Sequence, residues 1–276
     1  MHGTLFQPLR VLVTGCNRGL GYEFCRLLLR SGEAVELVAA ARSWGGDNLA
    51  KKRELATLAE ATLGGGGKRP CGLHTVELDV SNEDFRYALP STLSLALKNA
   101  KLDVLVNNAA VFPQGWDARS FELALSTNTL APLRIAQDVS EFGSGRFHVV
   151  NVTSGMGKQS SLTPEYKAAL EGCVRVEDIE DLKYLETPAT SGPAPAYALS
   201  KAALNRGTQI LAKEWSGKGR VSAVDPGWCR TDMGGEKATR SPRDGALSIL
   251  QVVLGSPMVI GTGNIFNSVG GVWKTL

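Results

Sequence analysis

The feature that most constrains this chain is an apolar run that leads directly into a glycine-rich turn and then into an amphipathic helix. The run at 9–14 is rich in β-branched residues and predicts a buried strand, and the turn at 14–21 has the spacing Gly-x-x-x-Gly-x-Gly. The helix places Leu20, Phe24, Leu27 and Leu28 on one face and ends at Ser31-Gly32. Glycines allow a tight turn, and the free amides of a helix N-terminus favour an anion. We therefore expect a phosphate-binding turn here, the alternative being a glycine turn without a ligand.

The same alternation of strand and helix continues through the first 110 residues. Strands are predicted over 34–41, 73–79 and 102–108, and helices over 48–63 and 85–98. The helix over 48–63 has Leu49, Leu55, Leu58 and Leu63 spaced for one face, and a flexible loop follows at Gly64–Gly67 and Pro70. Strands that alternate with helices are typical of an α/β fold with a parallel, doubly wound sheet.

The second half extends this pattern within one domain, because neither an internal repeat nor a linker interrupts it. We expect helices over 122–139 and 243–254, and strands over 145–154, 220–225 and 263–268. Asn128 lies among leucines in the first of these helices and is either a satisfied core amide or a site residue. The acidic segment 156–192 predicts one or two short helices and a loop.

Composition excludes several classes of function. The chain of 276 residues is 43% hydrophobic and carries a net charge of +3, without a basic stripe for nucleic acid or an apolar run for a membrane. Its N-terminus lacks the apolar core of a signal peptide. Five cysteines without metal-ligand spacing, and three scattered histidines, predict neither a zinc site nor a Ser-His-Asp triad. We expect a reduced, cytoplasmic protein.

Two arginines predict the choice of nucleotide. A site that prefers NAD usually has an acidic residue near the end of the second strand, whereas this chain has Arg42 there and Arg18 in the glycine turn. Two guanidinium groups are suited to a 2′-phosphate, which predicts NADP(H); the alternative is that either side chain points to solvent. Asp79 ends the third predicted strand and either accepts from an adenine amine or caps the next helix beside Ser81.

Tyr197 and Lys201 are spaced for one face of a helix that begins near Pro195. An ammonium close to a phenol favours the ionised form, so we expect Lys201 to lower the pKa of Tyr197 and to make it a usable proton donor and acceptor. The alternative is a surface lysine beside a half-buried tyrosine.

Taken together, these motifs resemble those of the short-chain dehydrogenase/reductase family over nearly the whole chain. The matching residues are Thr14, Gly15, Gly19, Gly21, Asp79, Asn107, Asn108, Ala109, Asn128, Ser154, Tyr197, Lys201, Pro226 and Gly227. The stretches 15–21, 225–234 and 238–242 further resemble the NADPH-dependent carbonyl reductases. The resemblance implies a Rossmann-type fold and an enzyme that reduces a ketone, aldehyde or quinone.

The resemblance also implies a role for each site residue. Tyr197 is the general acid in reduction, Lys201 lowers its pKa and holds the nicotinamide ribose, Ser154 hydrogen-bonds the substrate oxygen, and Asn128 fixes a water. The implied site for NADPH/NADP+ comprises Gly15, Asn17, Arg18, Gly19, Leu20, Gly21, Arg42, Asp79, Val80, Asn108, Ala109, Tyr197, Lys201, Pro226, Gly227, Trp228 and Thr231. We expect the substrate pocket to lie between 111–119, 155–195 and 228–240, with Phe112, Trp116 and Trp228 as apolar walls for a bulky carbonyl compound. A non-catalytic NADP(H)-binding regulator is the alternative.

Two features depart from the family pattern. Ala110 replaces a usual glycine, and the spacing between Ser154 and Tyr197 is extended by the acidic segment 156–192. Short amphipathic pieces such as 179–185 need an apolar surface to cover, and the nearest is the helix face through which family members usually associate. We therefore expect a monomer in which the segment also walls the substrate pocket; the alternative is a surface loop that leaves the usual tetramer intact.

Overall fold

The described parts of the chain contain one parallel sheet of seven strands in the order β3-β2-β1-β4-β5-β6-β7. The computed structural model describes residues 7–61, 71–184, 188–255, 261–268 and 271–272. The strands are β1 (Leu9–Thr14), β2 (Val35–Ala41), β3 (Cys71–Glu77), β4 (Leu102–Asn107), β5 (Gly143–Val152), β6 (Arg220–Val224) and β7 (Ile265–Phe266). Apolar β-branched residues fill the central strands because helices cover both faces of the sheet. The predicted doubly wound α/β fold is confirmed.

The helices divide between the two faces of the sheet. They are α1 (Gly19–Leu29), α2 (Asn48–Ala61), α3 (Glu83–Ala96), α4 (Ala118–Leu125), α5 (Ala131–Asp138), α6 (Pro164–Gly172), α7 (Pro195–Glu214) and α8 (Pro242–Leu254). Helices α1, α2 and α8 enclose one apolar core, which contains Phe24, Leu55 and Ile249. Helices α3, α4, α5 and α7 enclose the other, which contains Leu133 and Leu204.

The sheet places the functional crevice between β1 and β4. These two strands are neighbours, although β2, β3 and their helices lie between them in the sequence. Helices therefore leave the two strands toward opposite faces, and a crevice opens beyond their carboxyl ends. Thr14 ends β1 at this edge, and Asn107 and Asn108 end β4.

The long helix predicted over 122–139 begins earlier and contains a π turn. It runs from α4 through the π turn Ser126–Leu130 into α5. Pro132 follows the turn and has no N–H to donate to the carbonyl of residue 128, so the regular α-helical bonding breaks there. Asn128 lies in the π turn itself.

The acidic segment folds onto the helices beside it. It contains α6 and a 3-10 helix, Glu177–Tyr184, which confirms the predicted short helices. Its apolar side chains Tyr166, Leu170, Ile179 and Leu182 are buried in the same core as α5 and α7. Glu165, Glu171 and Glu177 are exposed.

Smaller differences concern the ends of elements. Leu49 is exposed, whereas Leu55 of the same helix is buried, so the face predicted for 48–63 does not include its first leucine. Strand β7 is shorter than the predicted 263–268. Leu63, the loop with Gly64–Gly67 and Pro70, and Leu185 at the end of the amphipathic piece lie outside the described residues.

Candidate active site

A cleft of about 560 Å³ lies over the carboxyl ends of β1, β4 and β5. It runs from Arg42 and Asp79 at one end, past the glycine turn, to Tyr197 and Lys201 at the other. The structure brings most of the predicted residues together here, namely Gly15, Asn17, Arg18, Gly19, Leu20, Arg42, Asp79, Val80, Asn108, Ala109, Phe112, Ser154, Tyr197, Lys201, Pro226, Gly227 and Thr231. Residues that are far apart in the sequence thus form one continuous surface.

The glycine turn packs tightly against the loop that follows β4. Gly15 has φ +71°, and a β-carbon there would lie 2.9 Å from the Cα of Ala109. A β-carbon on Gly21 would lie 2.3 Å from the carbonyl oxygen of Gly15 and 2.4 Å from the side-chain Nδ2 atom of Asn108. Both positions therefore require glycine for contacts within the protein. Gly21 does not itself line the cleft.

Asn108 joins the turn to β4 through its side chain. Its Nδ2 atom donates to the carbonyl oxygens of Thr14 at 2.9 Å and Gly15 at 3.1 Å. In the other direction, the backbone amides of Asn108 and Ala109 donate to the Thr14 hydroxyl at 3.0 and 3.1 Å. These four hydrogen bonds satisfy the backbone at the end of both strands and fix one loop against the other.

The two arginines of the cleft differ in their partners. Arg18 forms an ion pair with Asp232, with 3.4 Å between Nη1 and Oδ2. Arg42 is exposed and has no ion-pair partner among the residues that the structure describes. Both guanidinium groups belong to the cleft wall, which provides positive charge where the sequence analysis expected it.

Asp79 lines the cleft but does not cap the next helix. Its Oδ1 atom accepts from the backbone amide of Ser81 at 3.0 Å and from the Ser81 hydroxyl at 2.6 Å. The N-cap of α3 is Asn82, whose side chain accepts from the amide of Asp84. The second carboxylate oxygen of Asp79 has no hydrogen bond among the described residues.

Tyr197 lies in the first turn of α7 with its phenol directed at Ser154. Pro195 begins this helix, and it is tolerated there because the N–H of a first helical residue has no partner within the helix. Burial raises the pKa of Tyr197 to about 12. The hydrogen bond with Ser154 lowers this pKa, and the negative charge of Asp225 raises it further. The Phe112 ring packs edge-on against Tyr197 at 4.6 Å between centroids.

Lys201 is buried one turn further along α7. Its Nζ atom donates to the carbonyl oxygen of Val152 at 2.8 Å, and burial lowers its pKa to about 7. The expectation that Lys201 lowers the pKa of Tyr197 is therefore wrong for the protein alone. The ammonium faces the main chain, and the cost of burying a phenolate exceeds any attraction from it.

Asn128 is a fully buried amide with all its polar atoms paired. Its Oδ1 accepts from the amide of Val111 at 2.8 Å, and its Nδ2 donates to the Val111 carbonyl at 2.9 Å and the Ser200 hydroxyl at 3.0 Å. Its side chain does not line the cleft. It ties the loop after β4 to α7 beside Tyr197 and Lys201, which favours the core-amide interpretation.

Two of the three aromatic residues predicted for the substrate pocket lie elsewhere. Trp116 stacks on Phe121 at 5.1 Å and meets Tyr166 at 5.8 Å, so it packs against the core instead. Trp228 is exposed outside the cleft and donates from Nε1 to the carbonyl of Gly234 at 2.8 Å. Only Phe112 lies where it was expected.

The acidic segment does not wall the cleft either. None of its described residues contributes to the lining. Its apolar side chains are buried in the core that α4, α5 and α7 share. That this segment also walls a bound substrate stays a prediction.

Several cleft residues were missed by sequence reasoning. Leu123 and Met233, which are 45% and 40% exposed, line the cleft together with Gln114 and Thr127. Leu123 and Thr127 are four residues apart on one helical face, a spacing that sequence alone assigns to the core. Asp232 also lines the cleft, and its pairing with Arg18 leaves no local sequence signal.

Other kinds of site are absent from the described part of the chain. It holds no group of three or more side chains that could ligate a metal. No helix there combines the length and apolar character of a membrane span. The five cysteines are buried and have free thiols.

Comparison with known proteins places this architecture in a family. A model of the family "short chain dehydrogenase" matches residues 10–176. Carbonyl reductase (NADPH) 1 of Mus musculus is 28% identical over 267 residues, which cover 89% of this chain and 91% of the relative. The Bos taurus protein of the same name is 30% identical over 257 residues, covering 85% and 87%.

A solved structure has the same fold. The NADPH-bound carbonyl reductase from chicken fatty liver superimposes with a TM-score of 0.73 and 24% identity, covering 97% of this chain and 99% of that one. The family match spans more than half of the chain and includes the glycine turn, β4 and Ser154. The chain belongs to the short-chain dehydrogenase/reductase family.

Proposed function

We propose that this protein reduces the carbonyl group of a hydrophobic small molecule, with NADPH as cofactor and Tyr197 as proton donor. The observation that carries the proposal is the buried Tyr197 phenol, hydrogen-bonded to Ser154 at one end of a cleft whose other end carries Arg18 and Arg42. A proton donor and a phosphate-binding surface thus share one cavity of about 560 Å³.

The residues of the cleft fit NADP(H). The glycine turn is open on the cleft side, since a β-carbon on Gly19 would meet only Thr231, at 3.5 Å. Arg18 and Arg42 would hold the 2′-phosphate, Asp79 and Val80 the adenine, and Tyr197 and Lys201 the nicotinamide ribose. The named relatives are NADPH-dependent by their own descriptions, and Arg42 in place of an acidic residue directly after β2 agrees with that cofactor.

The chemistry follows from where the protons lie. When bound, NADPH supplies a hydride for the carbonyl carbon. Charge then develops on the substrate oxygen, which must receive a proton. Tyr197 keeps its proton at neutral pH because burial holds its pKa at about 12. The hydroxyl of Ser154 lies beside it to donate a hydrogen bond to the same oxygen.

Lys201 acts on the state that remains after proton transfer. Its amine titrates near 7, so that a positive charge is available in the buried site at neutral pH. The ammonium lies 5.8 Å from the centre of the Tyr197 ring, so it offsets part of the cost of the buried phenolate once the proton has left, although burial still dominates the pKa. Its hydrogen bond to Val152 holds the ammonium in place beside the strand.

The walls of the cleft indicate an apolar substrate. Phe112, Leu123 and Met233 lie on its surface, and the last two remain substantially exposed in the folded chain. Exposed apolar side chains in a concave site are typical of ligand contacts. We infer a bulky ketone, aldehyde or quinone.

Turnover of NADPH with a panel of aromatic ketones, aldehydes and quinones tests the proposal. We expect oxidation of NADPH with at least some of these compounds and formation of the matching alcohols. The alternative function, a non-catalytic NADP(H)-binding regulator, predicts that calorimetry detects NADPH binding while no compound is reduced. Sequestered Ser154, Tyr197 and Lys201 favour the enzyme, because a pure binding module has no need of a buried proton donor.

We also propose that the protein is a monomer in the cytoplasm. The acidic segment buries Tyr166, Leu170, Ile179 and Leu182 against the helices that would otherwise be open to a second subunit. Arg206 of α7 donates to the carbonyl oxygen of Cys173 at 2.7 Å, and Arg134 pairs with Glu180. These bonds fasten the segment along both of its edges.

A further inference from the structure

Arg18 of the glycine turn forms an ion pair with a carboxylate from the loop that follows β6. Its Nη1 atom lies 3.4 Å from Oδ2 of Asp232, which is 214 residues away in the sequence. Both side chains are more than half exposed. An exposed pair of this kind contributes little to folding stability, so its placement calls for another explanation.

The loop that carries Asp232 rests on the turn itself. The Cγ2 atom of Thr231 is 3.5 Å from the position of a β-carbon on Gly19. Arg18 and Asp232 line both the large cleft and a neighbouring depression of about 270 Å³. The ion pair therefore stands between the two cavities, at the place where an anion bound to Arg18 must lie.

We propose that Asp232 is an internal counter-ion that competes with the 2′-phosphate of NADP(H) for Arg18 and thereby speeds release of the cofactor. The inference rests on the proposed function, which places that phosphate at the two arginines. A phosphate dianion forms stronger charge-assisted hydrogen bonds with a guanidinium than a carboxylate does. It displaces Asp232, so the free energy of the ion pair between Arg18 and Asp232 is lost when the phosphate binds.

The competition is specific to nucleotides that carry a 2′-phosphate. Arg42 has no carboxylate partner among the described residues, so it offers its charge without such a cost. NAD(H) carries a hydroxyl in place of the 2′-phosphate and leaves the pair of Arg18 and Asp232 intact. Asp232 therefore reduces the preference for NADP(H) that the two arginines create.

Asp232→Asn tests this, because it removes the charge and keeps the shape. We expect calorimetry to give a Kd for NADP+ that is about threefold to fivefold lower, the upper part of the range for an exposed ion pair. Stopped-flow fluorescence should show slower NADP+ dissociation, and the Kd for NAD+ should stay within about twofold. Glu214→Gln removes a carboxylate from the far end of α7 and should change neither constant.

The effect must also depend on Arg18. In an Arg18→Ala background, Asp232→Asn should leave NADP+ affinity unchanged, since nothing remains to compete for. Weaker NADP+ binding by Asp232→Asn, equal strengthening of NAD+ binding, or the same gain without Arg18 would each overturn the inference. If Arg18→Ala alone leaves the ratio of NADP+ to NAD+ affinity unchanged, the proposed phosphate site itself is wrong.

Discussion

The ammonium of Lys201 donates to the main chain while it lies over the ring of Tyr197, one helical turn away. Its Nζ atom is 2.8 Å from the carbonyl oxygen of Val152 and 5.8 Å from the centre of the Tyr197 ring. Because burial raises the pKa of Tyr197 to about 12, the phenol stays protonated through the neutral range, with Ser154 as its hydrogen-bond partner. Tyr197 therefore keeps a transferable proton at the inner end of the cleft.

Replacing Tyr197 by Phe should remove that proton and little else. We expect turnover to fall by about 10²- to 10⁴-fold, the usual worth of a general acid. The Kd for NADPH, measured by calorimetry, should change little, because the ring and its contact with Phe112 are retained. A variant that keeps activity within a few-fold of the parent would rule out Tyr197 as the proton donor.

Arg42→Asp should move cofactor preference toward NADH. The exchange places a carboxylate where a ribose hydroxyl can bond to it and where a 2′-phosphate is repelled. We expect KM for NADPH to rise and KM for NADH to fall, whereas the parent uses NADPH at a much lower KM. Lys218→Asp, a reversal of charge at the amino end of β6, serves as the control and should leave both constants unchanged. Equal use of both cofactors by the parent would contradict the role of the arginines.

Acid should destabilise the protein through His148. This side chain is fully buried against Ser222, and burial, aided by the charge of Arg220, lowers its pKa to about 3. An unfolded histidine titrates near 6.5, so the unfolded chain binds the extra proton between these values. Stability is thus complete above about pH 6.5 and is lost as pH falls toward 3.

His148→Gln should reduce the loss of stability between about pH 6.5 and 3. Denaturant unfolding at several pH values between 3 and 7 measures it. The matched control is His74→Gln, since His74 is only half-buried, lies in the edge strand β3 and pairs with Glu36. An unchanged slope in the His148 variant would contradict the assignment.

The acidic segment should stabilise the chain through its buried apolar side chains. Ile179 is fully buried, whereas Val174 of the same segment is 71% exposed. Ile179→Ala should lower the free energy of unfolding by about 2–5 kcal/mol, and Val174→Ala by less than about 0.5 kcal/mol. Chemical denaturation of both variants distinguishes a packed segment from a surface loop, for which the two values would be alike.

Light scattering at micromolar concentration tests the monomer. A mass near 29.3 kDa supports it, and a mass near four times that value rejects it. Deleting 160–190 should expose the faces of α5 and α7 and promote self-association. A truncated chain that stays folded and monomeric would show that the segment does not protect this surface.

The elements that recur locally could be predicted from the sequence. The strand at 9–14, the glycine turn and the helix after it follow from residue type and spacing alone, and so does the Tyr197–Lys201 turn. The parallel, doubly wound sheet follows from the alternation of strands and helices. The sequence leaves two interpretations of Asn128 open, because its three hydrogen bonds to Val111 and Ser200 depend on the folded arrangement of three separate segments.

The predictions that were wrong or missing concern features that depend on burial and on residues distant in the sequence. An i, i+4 spacing predicts that Lys201 is near Tyr197 but not that both are buried, and burial determines the pKa of each. Trp116 and Trp228 have the right chemistry for a pocket wall, yet no local pattern indicates which side of a loop they occupy. The pairing of Arg18 with Asp232 joins two ends of the chain and is likewise invisible in the sequence.

The hydrogen bonds of Asn108 have a consequence for the geometry of the whole cleft. Because this one amide holds the backbone of Thr14 and Gly15, the glycine turn and the loop after β4 cannot move independently. The distance between the two ends of the cleft is therefore fixed before the cofactor binds. A dinucleotide meets a site that is preorganised for its length, and little of its binding free energy goes into ordering the protein.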